Sequence, residues 1–306
     1  NHMNQRIVIA GANGYLARNS LCRLFKEETN TFYLVSSKEP SVNYERFGSR
    51  IQYVRLGIEE YGKILDFIDL GCDIAVNFSW IATRGEGQEN ERIQKQNEEY
   101  SLALLQGLIN KGCRKFIQIG SMAEYGTVQG VISEETKCHP ITAYAKSKLN
   151  CAKRMREICN LFGVQFYELR MGSMYGNYME TDNLLGYLCS ELSQGRHVRL
   201  KTNCMQDWEY THVDDFAEIL FRYINTDIEP GIYNISNGDT HSLRYFINLI
   251  EEKYGTQNYV VYGNIDQGVG CQSIRCDNRK VRKYFDKNDF INFENGISSV
   301  IQYYST

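Results

Sequence analysis

Arg6-Ile7-Val8-Ile9-Ala10 leads straight into Gly11-Ala12-Asn13-Gly14-Tyr15-Leu16-Ala17, and a helical rhythm of Leu16, Leu21, Leu24 and Phe25 follows. A short unbroken apolar run is the pattern of a strand covered on both faces. A strand, a glycine turn and a helix in that order form the first unit of a dinucleotide-binding sheet. Gly11 would allow the tight turn, and Gly14 would let backbone amides approach a pyrophosphate at the helix N-terminus. The spacing is Gly-x-x-Gly-x-x-Ala, not the G-x-G-x-x-G of the commonest fingerprint. Its weight therefore comes from standing at the head of a βα unit.

The pattern repeats along the chain. Strands are predicted at 31–35, 51–54, 73–79, 116–119 and 166–169, with helices at Ile58–Phe67 and Glu91–Asn110. Lys111-Gly112 supplies the basic last turn and glycine stop of the longer helix. Thr142 is the expected N-cap of a helix running to Gly163. Six alternations of strand and helix predict an α/β fold with a doubly wound parallel Rossmann sheet. Beyond Arg170 the rhythm loosens into a helix at 184–192, strand and helix over 210–224, a strand at Gly231–Ile235, and helices at 242–254 and 278–284. No repeat or flexible linker separates these segments. The expected division is a dinucleotide-binding domain at 1–172 with a returning segment at 207–238, and a smaller C-terminal substrate-binding domain from 173–206 and 239–306.

A chain of 306 residues with a net charge of −3 has no electrostatic footprint for nucleic acid or an anionic membrane. No apolar run approaches the roughly 18 residues that would span a bilayer. The ten cysteines are scattered without a C-x-x-C pair, and the apolar strand begins at once, without a secretory leader. Reduced thiols in a cytoplasm are the expectation. Asn1-His2 ahead of Met3 reads as an expression remnant. Five dispersed histidines, and Cys271 and Cys276 at the wrong spacing, offer no zinc site.

The chemistry-bearing stretch is Tyr144-Ala145-Lys146-Ser147-Lys148, with Ser121 upstream at the carboxyl end of a parallel strand, where ligands of open α/β sheets collect. On a helix, Tyr144 and Lys148 share a face. A free phenol, with a pKa of about 10, is a poor base at neutral pH, and a neighbouring ammonium is expected to lower that value. A hydroxyl such as Ser121 can hold a substrate oxygen while Tyr144 gives or takes its proton. The bland alternative is an amphipathic helix with a surface tyrosine and solvated lysines. At the end of the second strand, Ser36-Ser37-Lys38 replaces the acid that holds a ribose 2′-hydroxyl. Hydroxyls and a cation suit a 2′-phosphate, so NADP is favoured over NAD, a polar turn toward Pro40 being the alternative. His212 has no serine elbow beside it and reads as a strand-end histidine. Asp214-Asp215 read as a helix N-cap, not as metal ligands.

Taken in order, Gly11-Ala-Asn-Gly14, Asn97, Ile119-Gly-Ser-Met-Ala-Glu-Tyr-Gly126, Tyr144-Ala-Lys-Ser-Lys148, Leu169-Arg-Met-Gly-Ser-Met-Tyr-Gly176, His212-Val-Asp-Asp215 and Tyr233-Asn234 resemble the extended short-chain dehydrogenase/reductase family. The likeness is to its nucleotide-sugar epimerase, dehydratase and reductase branch and covers nearly the whole chain. The resemblance implies a catalytic trio of Ser121, Tyr144 and Lys148. It also implies cofactor contacts from Gly11, Asn13, Gly14, Tyr15, Leu16, Ser36, Ser37, Lys38, Phe78, Ser79, Trp80 and Asn97, joined by Tyr144 and Lys148. Substrate contacts are expected from Ser121, Met122, Glu124, Ser173, Arg199 and Trp208, and a homodimer through the long helices.

The departures narrow the reaction. Met122 and Ala123 stand where the branch's dehydratases carry an acid, and Ala123 replaces the cysteine of its C3/C5 epimerases. Reduction of an NDP-4-keto-6-deoxy sugar, with hydride to C4 and a proton from Tyr144, is the expected reaction. NAD-dependent 4-epimerisation is the alternative, and a non-catalytic NADP-binding regulatory protein is the rival of another class. Ser173, Trp208 and Glu209 replace an Asn and an Arg-Asp pair of the family. The arginine that normally faces the substrate diphosphate is thereby missing; Arg196, Arg199 or Arg275 could replace it, and for each one singly a merely solvated arginine is the stronger reading.

Overall fold

The computed structural model describes residues 4–265 and 273–305. The terminal Asn1, His2 and Met3 and the expectation for Cys271 lie outside the described residues. In chain order the elements are β1 (Arg6–Ala10), α1 (Tyr15–Leu24), β2 (Thr31–Ser36), β3 (Ile51–Arg55), β4 (Ile74–Asn77), α2 (Glu91–Asn110), β5 (Lys115–Ser121), α3 (Ala143–Phe162) and β6 (Gln165–Met171). There follow β7 (Ser173–Tyr175), α4 (Leu184–Ser193), β8 (Val198–Arg199), β9 (Asp207–Trp208), β10 (Tyr210–His212), α5 (Val213–Asn225) and β11 (Gly231–Ile235). The chain closes with β12 (His241–Ser242), α6 (Leu243–Tyr254), β13 (Val260–Val261) and α7 (Phe293–Tyr304).

The chain forms two compact units. The first takes residues up to Glu124, then Pro140–Arg170 and Leu220–Tyr233. The second takes Tyr125–His139, Met171–Ile219 and Asn234–Thr306. This division departs from the sequence reading, because 125–139 and 207–219 belong to the second unit and the returning segment of the first is shorter.

A seven-stranded sheet runs in the order β11-β6-β5-β4-β1-β2-β3. The pairs β1–β2, β1–β4, β2–β3 and β4–β5 are all parallel. The order reverses at β1, which lies between β2 and β4. The carboxyl ends of β1 and β4 therefore flank the switch point where such sheets bind ligands. Strands β1 and β4 are buried almost throughout, as their unbroken apolar runs require. Val8, Ala10 and Val35 from the sheet join Leu105 and Leu108 of α2 and Met155 and Cys159 of α3 in one core.

Two helical expectations need correction. Ile58–Phe67 is a run of 3-10 turns, not an α-helix, although Ile58, Tyr61 and Ile64 are buried as its periodicity suggests. In 278–284 only Val281–Lys283 makes a 3-10 turn, while α7 escaped the sequence reading altogether. Thr142 caps α3 as expected, its hydroxyl accepting from the Ala145 amide at 3.0 Å. At α5 the cap is different: the His212 imidazole Nδ1 accepts from the Asp214 amide at 3.0 Å. Asp215 instead accepts from the Ile291 amide at 2.9 Å.

In the second unit, Tyr175, Tyr210, Phe246 and Phe293 pack edge-on or tilted against one another, with His212 beside Tyr175. No described helix is long and apolar enough to cross a membrane. All cysteines among the described residues are free thiols.

Candidate active site

The glycine turn is shaped by how closely β4 approaches it. Gly11 has φ +76°, and a Cβ there would lie 2.9 Å from Ser79 Oγ and 3.0 Å from Ser79 N. Only glycine takes that backbone at little cost while admitting such an approach. The Gly11 and Ala12 amides both donate to Val35 O, at 2.9 and 3.0 Å, which ties the turn to β2. Gly14 is exposed, and a Cβ on it would meet only Gly11 O at 3.6 Å. No side chain caps α1 at Gly14, so the positive end of the helix opens onto the turn. Asn13 Oδ1 is buried there without a hydrogen-bond partner. An uncapped helix start, open space at Gly14 and an orphaned amide oxygen fit a dinucleotide pyrophosphate and its ribose.

The loop after β4 is held by a side-chain lattice. Asn77 Oδ1 accepts from the Ser79 amide at 3.0 Å, and its Nδ2 donates to Gln118 Oε1 at 2.9 Å. Ser79 Oγ hydrogen-bonds the Tyr61 hydroxyl. Asn97 uses both amide atoms on Ile81, accepting from its N–H at 3.0 Å and donating to its C=O at 2.8 Å. With 1% exposure and both atoms so engaged, Asn97 positions the loop. Trp80 is set by Gln94, whose Oε1 accepts from the indole Nε1 at 2.7 Å.

At the end of β2 the expected trio divides. Ser36 is 6% exposed and its Oγ accepts from the Lys38 amide at 3.2 Å, so its hydroxyl stabilises the turn. Ser37 and Lys38 are exposed beside Arg55, which pairs with Glu39 and donates to Ser37 O.

Ser121, Tyr144 and Lys148 come together in the first unit. Ser121 is the last residue of β5, and Tyr144 and Lys148 stand one turn apart on α3. The Tyr144 phenol hydrogen-bonds Ser121. Lys148 Nζ donates to Ile119 O at 2.8 Å and lies 4.5 Å from the Trp80 ring centroid and 5.9 Å from that of Tyr144. Trp80 meets Tyr144 edge-on at 6.5 Å. A carbonyl, two aromatic rings and the helix thus place the ammonium.

The electrostatics run against the simple expectation for the phenol. Burial pushes Tyr144 up to about 12, and the bond to Ser121 offsets this only in part. Glu124 raises it further, Arg84 lowers it, and Lys148 is not among the groups that move it. Lys148 is itself pulled below its ordinary value by burial, with Glu124, Cys151 and Glu168 opposing. The protein alone therefore keeps Tyr144 as a proton-bearing phenol. That is the form in which it can hand over a proton.

Two proposed substrate contacts are corrected by burial. Met122 is 1% exposed and Glu124 0%, because the 3-10 turn Met122–Tyr125 folds both inward. Glu124 Oε2 accepts from the Ser121 amide at 2.8 Å, so its carboxyl sits behind the site. Sequence reasoning missed its neighbours Glu168 and Arg170, both 2% exposed or less. Two charged residues within the apolar strand 166–171 were the signal that could have found them.

The remaining expected contacts belong to the second unit. Ser173 lies on β7 opposite Tyr210 of β10, and Trp208 on β9 opposite His241. The Trp208 indole Nε1 is buried without a hydrogen-bond partner. Arg196 is already bound to Glu191, at 2.8 and 2.7 Å, and Arg275 lies 3.5 Å from Asp207. Arg199 stands exposed on β8.

Comparison with known proteins bears on the fold and the family. An uncharacterized protein of Methanocaldococcus jannaschii, MJ1055, is 23% identical over 214 residues, which span 69% of this chain and 64% of that relative. Among solved structures, the UDP-glucose 4-epimerase of Thermotoga maritima with UDP-glucose superposes with a TM-score of 0.83 at 19% identity, covering 98% of both chains. DesIV of Streptomyces venezuelae, a dTDP-glucose 4,6-dehydratase with NAD and TYD bound, gives 0.85 at 18% identity, covering 98% of this chain and 96% of its own. The model of one enzyme family, described as the NAD dependent epimerase/dehydratase family, matches residues 7–236. The chain belongs to that family, an extended short-chain dehydrogenase/reductase family with a Rossmann sheet.

Proposed function

We propose that the chain is an NAD(P)-dependent oxidoreductase of nucleotide-linked sugars that reduces the C4 ketone of an NDP-4-keto-6-deoxy sugar. The observation that carries this reading is the Tyr144 phenol, hydrogen-bonded to Ser121 and pushed up to about 12 by burial. A tyrosine so held is an acid waiting for an oxyanion, which is what ketone reduction generates. A bound dinucleotide would supply the hydride. Gly11, Gly14 and the start of α1 would hold its pyrophosphate, Ser37 and Lys38 its adenosine ribose, and Lys148 its nicotinamide ribose. Ser121 would hold the sugar oxygen while Tyr144 delivers its proton.

The second reading, 4-epimerisation through a transient ketone, is supported by likeness to the Thermotoga enzyme. It needs one dinucleotide retained through the cycle, whereas a reductase exchanges its own. Mass spectrometry of the purified protein separates them: retained NAD favours the epimerase, and a freely exchanging dinucleotide the reductase. Tyr144→Phe is expected to bind NADH or NADPH as the parent does and to lose turnover by about 10²-fold or more. Unchanged turnover would refute the assignment of Tyr144. A homodimer through α2 and α3 belongs to the same proposal, and sedimentation equilibrium tests it.

A further inference from the structure

Behind the Ser121–Tyr144 pair lies a cluster of charged groups with almost no access to solvent. Glu124 is 0% exposed, Glu168 1%, Arg170 2% and Lys148 6%. Arg170 Nε donates to Glu168 Oε1 at 2.7 Å and lies 3.5 Å from Glu124 Oε1. Glu124 Oε2 accepts from the Ser121 amide at 2.8 Å. Gly120 lets both carboxyls close in, since a Cβ there would stand 2.6 Å from Glu168 Oε2 and 2.8 Å from Glu124 Oε2.

Two buried oxygens are left over, Glu124 Oε1 and Glu168 Oε2, neither with a hydrogen-bond partner. A buried carboxylate oxygen without a donor is costly, and two carboxylates in contact cannot both ionise cheaply. One proton removes both problems. Carried on Glu124 Oε1, it is donated to Glu168 Oε2, while Glu124 Oε2 keeps the Ser121 amide and Glu168 Oε1 keeps Arg170. Arg170 favours ionisation of Glu168, whose Oε1 lies 2.7 Å from its Nε against 3.5 Å for Glu124 Oε1. The shift of Glu124 agrees in direction: burial and then Glu168 raise it well above its ordinary value, against Arg170 and the Ser121 amide. The other groups facing the cluster are Tyr144, Lys148 and Cys151, all from α3.

We infer that Glu124 is a neutral carboxylic acid in the working protein, clasping Glu168 through its Oε1 proton and the Ser121 amide through Oε2. It is thereby a positioning residue for the serine that meets Tyr144. It touches neither substrate nor cofactor. Loss of its proton as pH rises sets two carboxylates against each other directly behind Ser121 and loosens the serine's register. The clasp stands on the protein alone, and only its bearing on turnover rests on the proposed reductase.

The test is NMR of the whole protein across neutral and alkaline pH, with glutamate carboxyls labelled with carbon-13 and the Ser121 amide assigned. Besides Glu209, wild type should show a second glutamate carboxyl that keeps its proton above the ordinary carboxyl range, and a Ser121 amide shift that moves when this second proton leaves. Glu124→Gln is the isostere of the protonated acid, its amide donating to Glu168 and its carbonyl accepting from Ser121. It should abolish that second signal, leave the one from Glu209 in place, and hold the Ser121 amide shift constant over the same range. Glu124→Met, which keeps the volume but neither bond, should displace the Ser121 amide signal at every pH. The inference is overturned if no glutamate besides Glu209 titrates above the ordinary carboxyl range, or if the Ser121 amide of Glu124→Gln follows pH as wild type does. If the clasp is confirmed but Tyr144→Phe retains turnover, the proposed reaction fails and the clasp stands.

Discussion

Glu209 offers the most direct measurement of what burial costs in this protein. It is 2% exposed, between β9 and β10. Its Oε2 accepts from Ser236 Oγ and the Cys276 amide, each at 3.1 Å, and its Oε1 from Thr240 Oγ1 at 3.0 Å. Those three donors would hold a carboxyl low, yet burial outweighs them and lifts it to about 7 from an ordinary 4.5. The native state thus binds the proton more tightly than the unfolded chain does. Native stability therefore falls as pH rises from about 4.5 to about 7, and the cost is complete above that window. Converted at about 1.4 kcal/mol per pH unit, the cost above neutrality is about 3 kcal/mol.

Glu209→Gln removes this cost while keeping the bonds. Its Oε1 can accept from Ser236 and Cys276, and its amide can donate to Thr240. Urea unfolding at pH 5, 6, 7 and 8, wild type against variant, reads the difference. The curves should lie together near pH 5 and separate by about 3 kcal/mol at pH 8, with the variant the more stable. Asp215, which burial also raises to about 7, contributes to the slope of both proteins and cancels in the difference. Parallel curves, or a variant less stable at pH 8, would show that Glu209 is ionised in the native state and well compensated by its three donors.

Further expectations concern the dinucleotide turn. Gly11→Ala must adopt φ +76° and push against Ser79 backbone at 3.0 Å, so stability should fall by about 2 kcal/mol or more. Its NADH affinity, read by fluorescence, should fall with it; full stability and affinity would mean that the β1 turn does not approach β4 as described. Lys38→Ala should weaken NADPH binding more than NADH binding in parallel titrations. Equal effects would remove the reason to prefer a 2′-phosphate, a reason already narrowed by the inward turn of Ser36.

Local features that depend on the nearest few residues were legible without a fold. Helix α2 spans Glu91–Asn110 as predicted and stops at its glycine signal, and Thr142 caps α3. Tyr144 and Lys148 stand on one helix because a spacing of four allows nothing else once the helix forms. Elements whose character is decided by neighbours were not legible. Ile58–Phe67 has helical periodicity, yet it packs as 3-10 turns. The helix α7 follows a stretch without a clear start signal, and its Asn292 cap is visible only once the helix is known.

The sequence by itself determined the alternating α/β architecture, the glycine turn at the head of β1, and the placing of Ser121 at a strand end and of Tyr144 and Lys148 on one helix face. Each follows from periodicity, backbone freedom or side-chain chemistry within a short stretch. The tertiary structure alone decided the protonation of that group. Whether a phenol is made acidic or kept neutral depends on which dipoles and charges surround it, and these come from β5, β6 and the turn after Ser121. For the same reason Glu124, which looks from its position like a group awaiting a sugar, is a buried acid held between Glu168 and the serine amide.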